Sequence, residues 1–287
     1  PPVAITGPIN SPEGVAVISD RNGQVIFSTD GARIFDRNDV EITPAPMPPG
    51  LGGEPGSTQS ALIIPVQGDE TLYYIFTTQE VHGTGTYELR YSLFDIKLNS
   101  GDGGIVEYNQ LLFSRSTERI TGNAGWLIAH EYGNNSFRAY PISQQGIGNP
   151  VISSLGSDHV LTAPETGHGY MKLGGGNLLA VALSNPGVSN VLEIFDFDNA
   201  SGRVSNFRTA NLKSATGQVY GVEFAGNKIF ATLLGSPSAI REFYIDYQGN
   251  PQLITPPLAN INEELGAIQR GPNGQIYVAW PVVRKVD

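Results

Sequence analysis

The stretch GVAVISDRNGQVIFST (14–29) contains the pattern that decides the fold. Two short apolar runs flank the dipeptide Asn22-Gly23, and Asn-Gly tolerates the positive φ angles that a two-residue hairpin turn requires. The stretch therefore predicts two antiparallel strands joined by a tight turn.

The same hairpin pattern returns five more times, and successive units start about 45 to 60 residues apart. These stretches are QSALIIPVQGDETLYYIFTT (59–78), TERITGNAGWLIAHE (117–131), GYMKLGGGNLLAVAL (169–183), GVEFAGNKIFATL (221–233) and GAIQRGPNGQIYVAW (266–280). Every unit except the last continues with a third strand, a polar turn and a fourth strand. A four-stranded unit repeated at this spacing is typical of a β-propeller blade.

One aromatic residue recurs near the end of the third strand in five units. An aromatic ring at a fixed strand position fills the wedge between neighbouring sheets, so we expect these rings to pack between blades. They are Phe35, Phe94, Tyr140, Phe195 and Tyr244.

The sixth unit is incomplete, because only VVRKVD follows GQIYVAW. Residues 3–6 (VAIT) resemble the fourth strands of other units, such as VEIT (40–43), and can complete the last blade. The prediction is a single domain over residues 1–287, a six-bladed β-propeller closed by its N-terminal strand. A seven-bladed ring is the alternative. The Pro/Gly-rich stretch 44–56 is predicted to be a surface loop between blades.

Composition excludes several function classes. The chain has 17 Lys and Arg against 27 Asp and Glu, a net charge of −10 without a basic cluster, which disfavours nucleic acid and anionic membrane surfaces as partners. No apolar run is long enough to insert into a membrane. Cysteine is absent, so disulfides, zinc–thiolate sites and cysteine nucleophiles are excluded.

Loops at one end of the predicted propeller contain all four histidines, His82, His130, His159 and His168. Loops at one end of a rigid scaffold commonly carry binding residues, so we expect a ligand-binding face there. Trp280 ends a second strand and is a candidate platform for stacking against sugar. The candidate ligand-binding residues are His82, His130, Glu131, Glu165, His168, Tyr220 and Trp280.

The same loops also suggest a more specific hypothesis, which is a metal site. Imidazole and carboxylate groups are ligands for zinc- or manganese-type ions, and His130, Glu131 and His168 are the candidates. The spacing does not match H-E-x-x-H, so we expect no resident cofactor and keep a divalent metal as the alternative. No G-x-S-x-G motif is present, and the sequence predicts no catalytic residue.

An ordered set of motifs, from PPVAITG (1–7) through STQSALIIPVQG (57–68) to LGAIQRGPNGQIYVA (265–279), resembles the propeller modules of secreted cell-surface proteins of Bacteroidota. Proteins of that kind are multidomain, contain PKD or gliding-motility-associated repeats and use type IX secretion. The resemblance implies a secreted or cell-surface location within a larger protein or assembly. It implies no catalytic residues.

The leading hypothesis is a non-enzymatic adhesion or binding module that recognises glycan or protein through the histidine-bearing face. One alternative is a metal-assisted polysaccharide lyase or hydrolase acting in the central funnel. Another is a structural spacer in a surface filament.

Overall fold

The computed structural model describes residues 6–42, 50–81, 87–159, 168–185, 189–212, 217–280 and 284–286. In these ranges the chain consists of β-strands, turns and two short 3-10 segments, Asn99–Gly101 and Gly175–Asn177. The prediction of an all-β protein is confirmed. A search of the same ranges finds no helix with the length and apolarity to cross a membrane.

The strands of the described residues form six antiparallel sheets, each built from strands that follow one another in sequence. The first sheet contains β1 (Ala16–Ser19), β2 (Val25–Thr29) and β3 (Ile34–Asp36). The second contains β4 (Ala61–Pro65), β5 (Leu72–Thr78), β6 (Glu88–Asp95) and β7 (Gly104–Ser114). The third contains β8 (Ser116–Asn123), β9 (Trp126–Glu131), β10 (Ser136–Ser143), β11 (Gly146–Ile147) and β12 (Val151–Ser154).

The remaining three sheets repeat this order. The fourth contains β13 (Met171–Leu173), β14 (Leu178–Asn185), β15 (Ser189–Asp198) and β16 (Arg203–Asn211). The fifth contains β17 (Gln218–Ala225), β18 (Lys228–Leu234), β19 (Ser238–Ile245) and β20 (Pro251–Ile261). The sixth contains β21 (Ile268–Arg270), β22 (Ile276–Val278) and β23 (Arg284–Val286). All six predicted hairpins form the first two strands of a sheet.

The first hairpin turns at the predicted place, but Asn22-Gly23 does not form a two-residue turn. The Gly23 N–H donates to the Asp20 carbonyl at 3.0 Å, so the tight turn spans residues 20–23, and of the Asn-Gly pair only Gly23 has a positive φ, 81°. The Asp20 carboxylate accepts hydrogen bonds from the backbone N–H groups of Asn22 and Gln24, at 2.8 and 2.9 Å. The turn is therefore specified both by backbone freedom and by a side-chain cap.

Aromatic packing between sheets is confirmed at three of the five predicted positions, Phe94, Tyr140 and Phe195, whose rings meet a ring of the preceding sheet. Phe35 is buried, with the Arg33 guanidinium of its own unit 5.2 Å from its ring. The Phe94 ring lies 4.4 Å from the ring of Phe27 in the first sheet. The prediction is wrong at Tyr244, which is 42% exposed, while its neighbour Phe243 is fully buried. Successive side chains of a strand point to opposite faces, so an error of one residue exchanges a buried ring for an exposed one.

The first strands of the sheets lie next to one another in succession, from β1 through β4, β8, β13 and β17 to β21. Contacts also skip sheets. Gln59 precedes β4, yet its side-chain amide donates to the Met171 carbonyl at 3.2 Å and accepts from the Met171 N–H at 2.8 Å. The first strands therefore converge on one axis.

The predicted closing strand, residues 3–6, falls largely outside the described residues, which begin at Thr6. The sixth sheet has the predicted third strand, β23. In the first unit the predicted fourth strand is reduced to an isolated bridge between Phe35 and Glu41. The predicted surface loop at 44–56 is described from Gly50 onwards and contains no strand there.

Candidate functional site

Glu13 sits at the axis because the segment before β1 is fixed against the start of the second sheet. The N–H of Gly14 donates to the Ser57 carbonyl at 3.2 Å, and the Ser60 hydroxyl donates to the Gly14 carbonyl at 2.7 Å. A Cβ at position 14 would lie 2.3 Å from the Ser60 nitrogen and 2.6 Å from the Ser57 oxygen. Only glycine permits this close approach of two backbones.

Three side chains from distant parts of the chain meet beside this segment. The Tyr220 hydroxyl, on β17, donates to Oε2 of Glu13 at 2.9 Å. Nδ1 of His168, just before β13, lies 4.0 Å from Oε1 of Glu13. The side chains of Glu13 and His168 are 24% and 26% exposed, so a ligand can reach both. We call Glu13, His168 and Tyr220 the axial mouth.

Tyr220 is the buried member of the axial mouth. Its ring meets that of Tyr170 edge to face at 5.6 Å, and its carbonyl accepts the Tyr170 N–H at 2.8 Å. Burial raises the pKa of the Tyr220 phenol far above its ordinary value, and Tyr170 and the Glu13 carboxylate raise it further. Tyr220 is therefore a fixed hydrogen-bond donor to Glu13.

The Glu13 carboxyl has a raised pKa, mainly because it is partly withdrawn from water. The nearby Glu118 carboxylate raises this pKa as well, whereas the Tyr220 hydrogen bond and the His168 imidazole lower it. The Glu118 carboxylate is itself buried and accepts backbone N–H groups from Thr58 at 2.7 Å and Val81 at 2.8 Å. Glu118 therefore links the second and third sheets and adds negative potential beneath the mouth.

Arg119 fixes the position of the His168 main chain by a hydrogen bond. The fully buried guanidinium donates through Nη2 to the His168 carbonyl and through Nε to the Ala182 carbonyl, the latter at 3.0 Å. Burial lowers the pKa of Arg119 to about 10, and the carboxylates of Glu118 and Glu193 oppose that shift. The guanidinium thus stays cationic at neutral pH and acts as a positioning residue.

His130 and His159 lie in the interior, near Arg119. Their rings stack at 3.4 Å with an interplanar angle of 14°, and both side chains are almost completely buried. Nδ1 of His130 lies 2.7 Å from the Glu131 carbonyl oxygen. Burial lowers the pKa of both imidazoles well below the ordinary value, and the nearby Arg119 guanidinium lowers both pKa values further. The pair is neutral and inaccessible to a surface ligand.

The candidate metal ligands do not converge. Glu131 pairs with Nε of Arg138 at 2.6 Å and accepts the Asn134 side-chain amide at 2.7 Å, while His168 belongs to the axial mouth. In the part of the chain that the structure describes, no three His, Asp or Glu side chains group closely enough to hold a metal ion. His82 and Glu165 lie outside the described residues.

Trp280 is half-buried against the apolar cluster that contains Ile268 and Ile276, and its indole N–H donates to the Glu263 carboxylate. A groove of about 530 Å³ lies elsewhere, between the outer strands β12 and β16. Arg203 lines this groove, and the Ser153 hydroxyl there accepts the Val204 N–H at 3.0 Å. The groove is at the perimeter and contains none of the residues predicted from the sequence.

Sequence reasoning found His168 and Tyr220 but missed Glu13. A signal was present: each residue of the axial mouth directly precedes the glycine that leads a repeat unit, Gly14, Gly169 or Gly221. Repeats arranged around an axis bring matching positions together. The residue before each leading glycine was therefore the place to look.

No family model matches the chain, and a search of curated proteins finds no significant relative. Solved structures do resemble it. The β-propeller domain of Cps50 (Swd1) from Myceliophteria thermophila has a TM-score of 0.54 at 13% identity, over 92% of this chain and 79% of that one. A glucose dehydrogenase has a TM-score of 0.53 at 10% identity, over 98% and 99% of the two chains. A luciferin-regenerating enzyme has a TM-score of 0.52 at 12% identity, over 93% and 83%.

Identities this low support the fold alone. The chain has a β-propeller fold, as the repeat pattern predicted. The similar structures include enzymes and a propeller domain that is not named as one, so their functions do not transfer to this chain.

Proposed function

We propose that this protein is a non-enzymatic binding module that takes a glycan at the axial mouth. The observation that carries the proposal is the meeting of a carboxylate, an imidazole and a phenol from three separate sheets or their leading segments. These groups donate and accept hydrogen bonds in fixed directions, which suits the hydroxyl groups of a sugar. Protein at the cell surface is the other partner class to be tested.

Binding is favoured over glycoside hydrolysis by the roles of the carboxylates. A hydrolase of the common type needs two carboxyl groups that flank the scissile bond. Glu13 is reachable, but both oxygens of Glu118 already accept backbone N–H groups in the interior. The raised pKa of Tyr220 makes its phenol a poor base for a lyase reaction.

The proposal includes a six-bladed ring closed by the N-terminal strand. Supporting it is the contact of Glu13, which precedes the first sheet, with Tyr220 of the fifth sheet, because such a contact requires the chain to curve back around the axis. Removal of residues 1–8 is expected to lower the melting temperature sharply. An unchanged melting curve would count against closure.

A secreted or cell-surface location, with type IX secretion as the export route, is proposed from the sequence resemblance alone. Protease treatment of intact cells that produce the native protein tests it. Loss of the protein from intact cells, with a cytoplasmic marker preserved, is the expected result; full protection would contradict surface display.

A glycan array tests the binding function. We expect the wild-type protein to bind a limited set of glycans, and we expect His168→Ala to weaken that binding at least tenfold. Arg203→Gln, in the perimeter groove, is the matched control and should bind as the wild type does. An array without any signal, together with turnover of a polysaccharide, would overturn the proposal in favour of an enzyme.

A further inference from the structure

Glu13 does not have the lysine or arginine partner that six other carboxylates have in the described part of the chain. Its Oε2 accepts the Tyr220 hydroxyl, and its Oε1 lies 4.0 Å from Nδ1 of the His168 imidazole. Among the described residues, no lysine or arginine nitrogen lies within ion-pair distance of Glu13. A carboxylate in partly desolvated surroundings is stabilised when a cation approaches it.

Glu118 and Glu193 also lack a lysine or arginine partner in the described part of the chain, but both are fully buried, whereas Glu13 is reachable from solvent. Six other carboxylates whose side chains are no more than 38% exposed lie within 2.5 to 2.9 Å of a lysine or arginine nitrogen. These pairs are Asp30–Arg33, Glu88–Arg90, Glu131–Arg138, Glu223–Lys172, Asp196–Arg208 and Glu242–Lys228. Glu13 is similarly withdrawn from water, but its hydrogen-bond donors are neutral hydroxyl groups, those of Tyr220 and Thr58.

The surroundings of Glu13 strengthen the negative potential at the mouth. The buried Glu118 carboxylate acts on Glu13 with the same sign of charge. The nearest buried cation, Arg119, donates to the carbonyls of His168 and Ala182. The chain as a whole has a net charge of −10. These charges favour a cationic group in a ligand and disfavour an anionic one.

We infer that the axial mouth selects a glycan that carries a protonated amino group, an amino sugar whose nitrogen is not acetylated, and that the Glu13 carboxylate receives this group. The inference rests on the proposed glycan-binding function and narrows its ligand class. The Tyr220 hydroxyl holds Oε2 in place, and Oε1 lies 4.0 Å from Nδ1 of His168. Nε2 of His168 is buried and has no hydrogen-bond partner among the described residues, so Glu13 is the group of this pair that receives the cation.

The experiment compares two oligosaccharides that differ only at nitrogen. Isothermal titration calorimetry at pH 6 measures binding of a glucosamine tetramer and of its N-acetylated counterpart to the wild-type protein. At this pH an amine of the α-amino type is protonated, since such amines titrate at about 7.7–8.0. We expect the amino tetramer to bind at least tenfold more tightly, and the difference to shrink as salt is raised.

Two variants test whether Glu13 is the residue that receives the ammonium group of the ligand. Glu13→Gln keeps the shape of the side chain and removes its charge, so the preference for the amino tetramer should disappear while weak binding of the acetylated tetramer remains. Glu70→Gln changes the net charge equally, at an exposed residue in the turn between β4 and β5, and should retain the preference. Competition by glucosamine against N-acetylglucosamine on wild-type protein gives the same comparison without any variant.

The outcomes separate the two levels of the argument. Equal binding of the two tetramers overturns the inference and leaves glycan binding intact. A preference that survives Glu13→Gln places the cation elsewhere and also overturns it. Absence of binding by both tetramers and by every glycan of the array overturns the proposed function itself. Binding of a lysine-rich peptide in a Glu13-dependent manner, without binding of the amino tetramer, replaces glycan by protein as the ligand class and overturns the inference.

Discussion

Glu223 lies on the first strand of the fifth sheet and Glu13 just before the first strand of the first sheet, yet neighbouring groups enclose the Glu223 carboxylate and leave that of Glu13 partly exposed. The Glu223 carboxylate pairs with Nζ of Lys172 at 2.9 Å and accepts the N–H groups of Phe224 at 2.8 Å and Arg270 at 2.9 Å. It joins three neighbouring sheets and is only 6% exposed. The Glu13 carboxylate has only hydroxyl donors, those of Tyr220 and Thr58, and is 24% exposed. The number and type of hydrogen-bond and ion-pair partners, and not the residue type, distinguish a carboxylate that holds sheets together from one that can bind a ligand.

The largest expected effect is a loss of folding stability at low pH, and it comes from the buried pair His130 and His159. Both imidazoles have lowered pKa values, mainly through burial, so the folded protein keeps them neutral while the unfolded chain takes up protons below about pH 6.5. Stability is therefore present above the unfolded pKa and is lost as pH falls below it. Each histidine contributes up to about 1.4 kcal/mol per pH unit, which amounts to about 4 kcal/mol at pH 5 for the pair.

Denaturant titrations between pH 7 and pH 5 measure this loss. His159→Gln should reduce the slope of stability against pH by about half, because one titrating group is removed. The pKa values of Glu193 and Glu13 are raised, so these groups act with the opposite sign and favour the folded state as pH falls towards their own range. Glu13 is common to both proteins and cancels in the difference, whereas Oε2 of Glu193 lies 3.7 Å from Nε2 of His159, so any change in the titration of Glu193 is part of the measured difference. Identical slopes for the two proteins would contradict the buried neutral pair.

The second prediction compares the two glutamates directly. Glu223→Ala leaves two backbone N–H groups and the Lys172 ammonium without their acceptor, which should cost about 2–3 kcal/mol of unfolding free energy. Glu13→Ala should cost less than about 1 kcal/mol, because its hydrogen-bond partners, Tyr220 and Thr58, are neutral hydroxyl groups and its side chain is partly exposed. Urea unfolding of the two variants checks the ranking, and a reversed order would remove the distinction drawn between them.

The smallest effect concerns the glycine that positions Glu13. Gly14→Ala introduces a methyl group 2.3 Å from a backbone nitrogen, so the segment must shift, at a cost of about 1–2 kcal/mol. Gly175→Ala is the matched control, since a Cβ there meets nothing within 4 Å. Thermal unfolding measures the cost, and glycan affinity should fall with it in Gly14→Ala alone. Equal melting temperatures and glycan affinities for the two variants would show that a methyl group at position 14 is accommodated without a shift of the segment.

The parts of this fold that could be predicted from sequence are those set by local pattern. Alternating apolar residues and Asn-Gly turns specify hairpins without reference to neighbours, and all six hairpins were found. The failure at Tyr244 came from strand phase, which the packing of the adjacent sheet decides. The burial of His130 was missed for a related reason. The sequence placed His130 in a loop, but the structure places it in strand β9, paired with Phe137 of β10. Its stacking partner His159 lies in a connection whose path only the assembled sheets determine.

The leading glycines have a consequence for how such a protein diversifies. Each residue of the axial mouth stands directly before one of them; Glu13 and His168 precede the first strand of their units, and Tyr220 lies within β17. Exchanging Glu13 or His168 alters the chemistry offered at the centre and changes no strand residue of its own unit. A scaffold organised this way can acquire a new ligand preference through single substitutions, because each repeat unit contributes one residue to the centre.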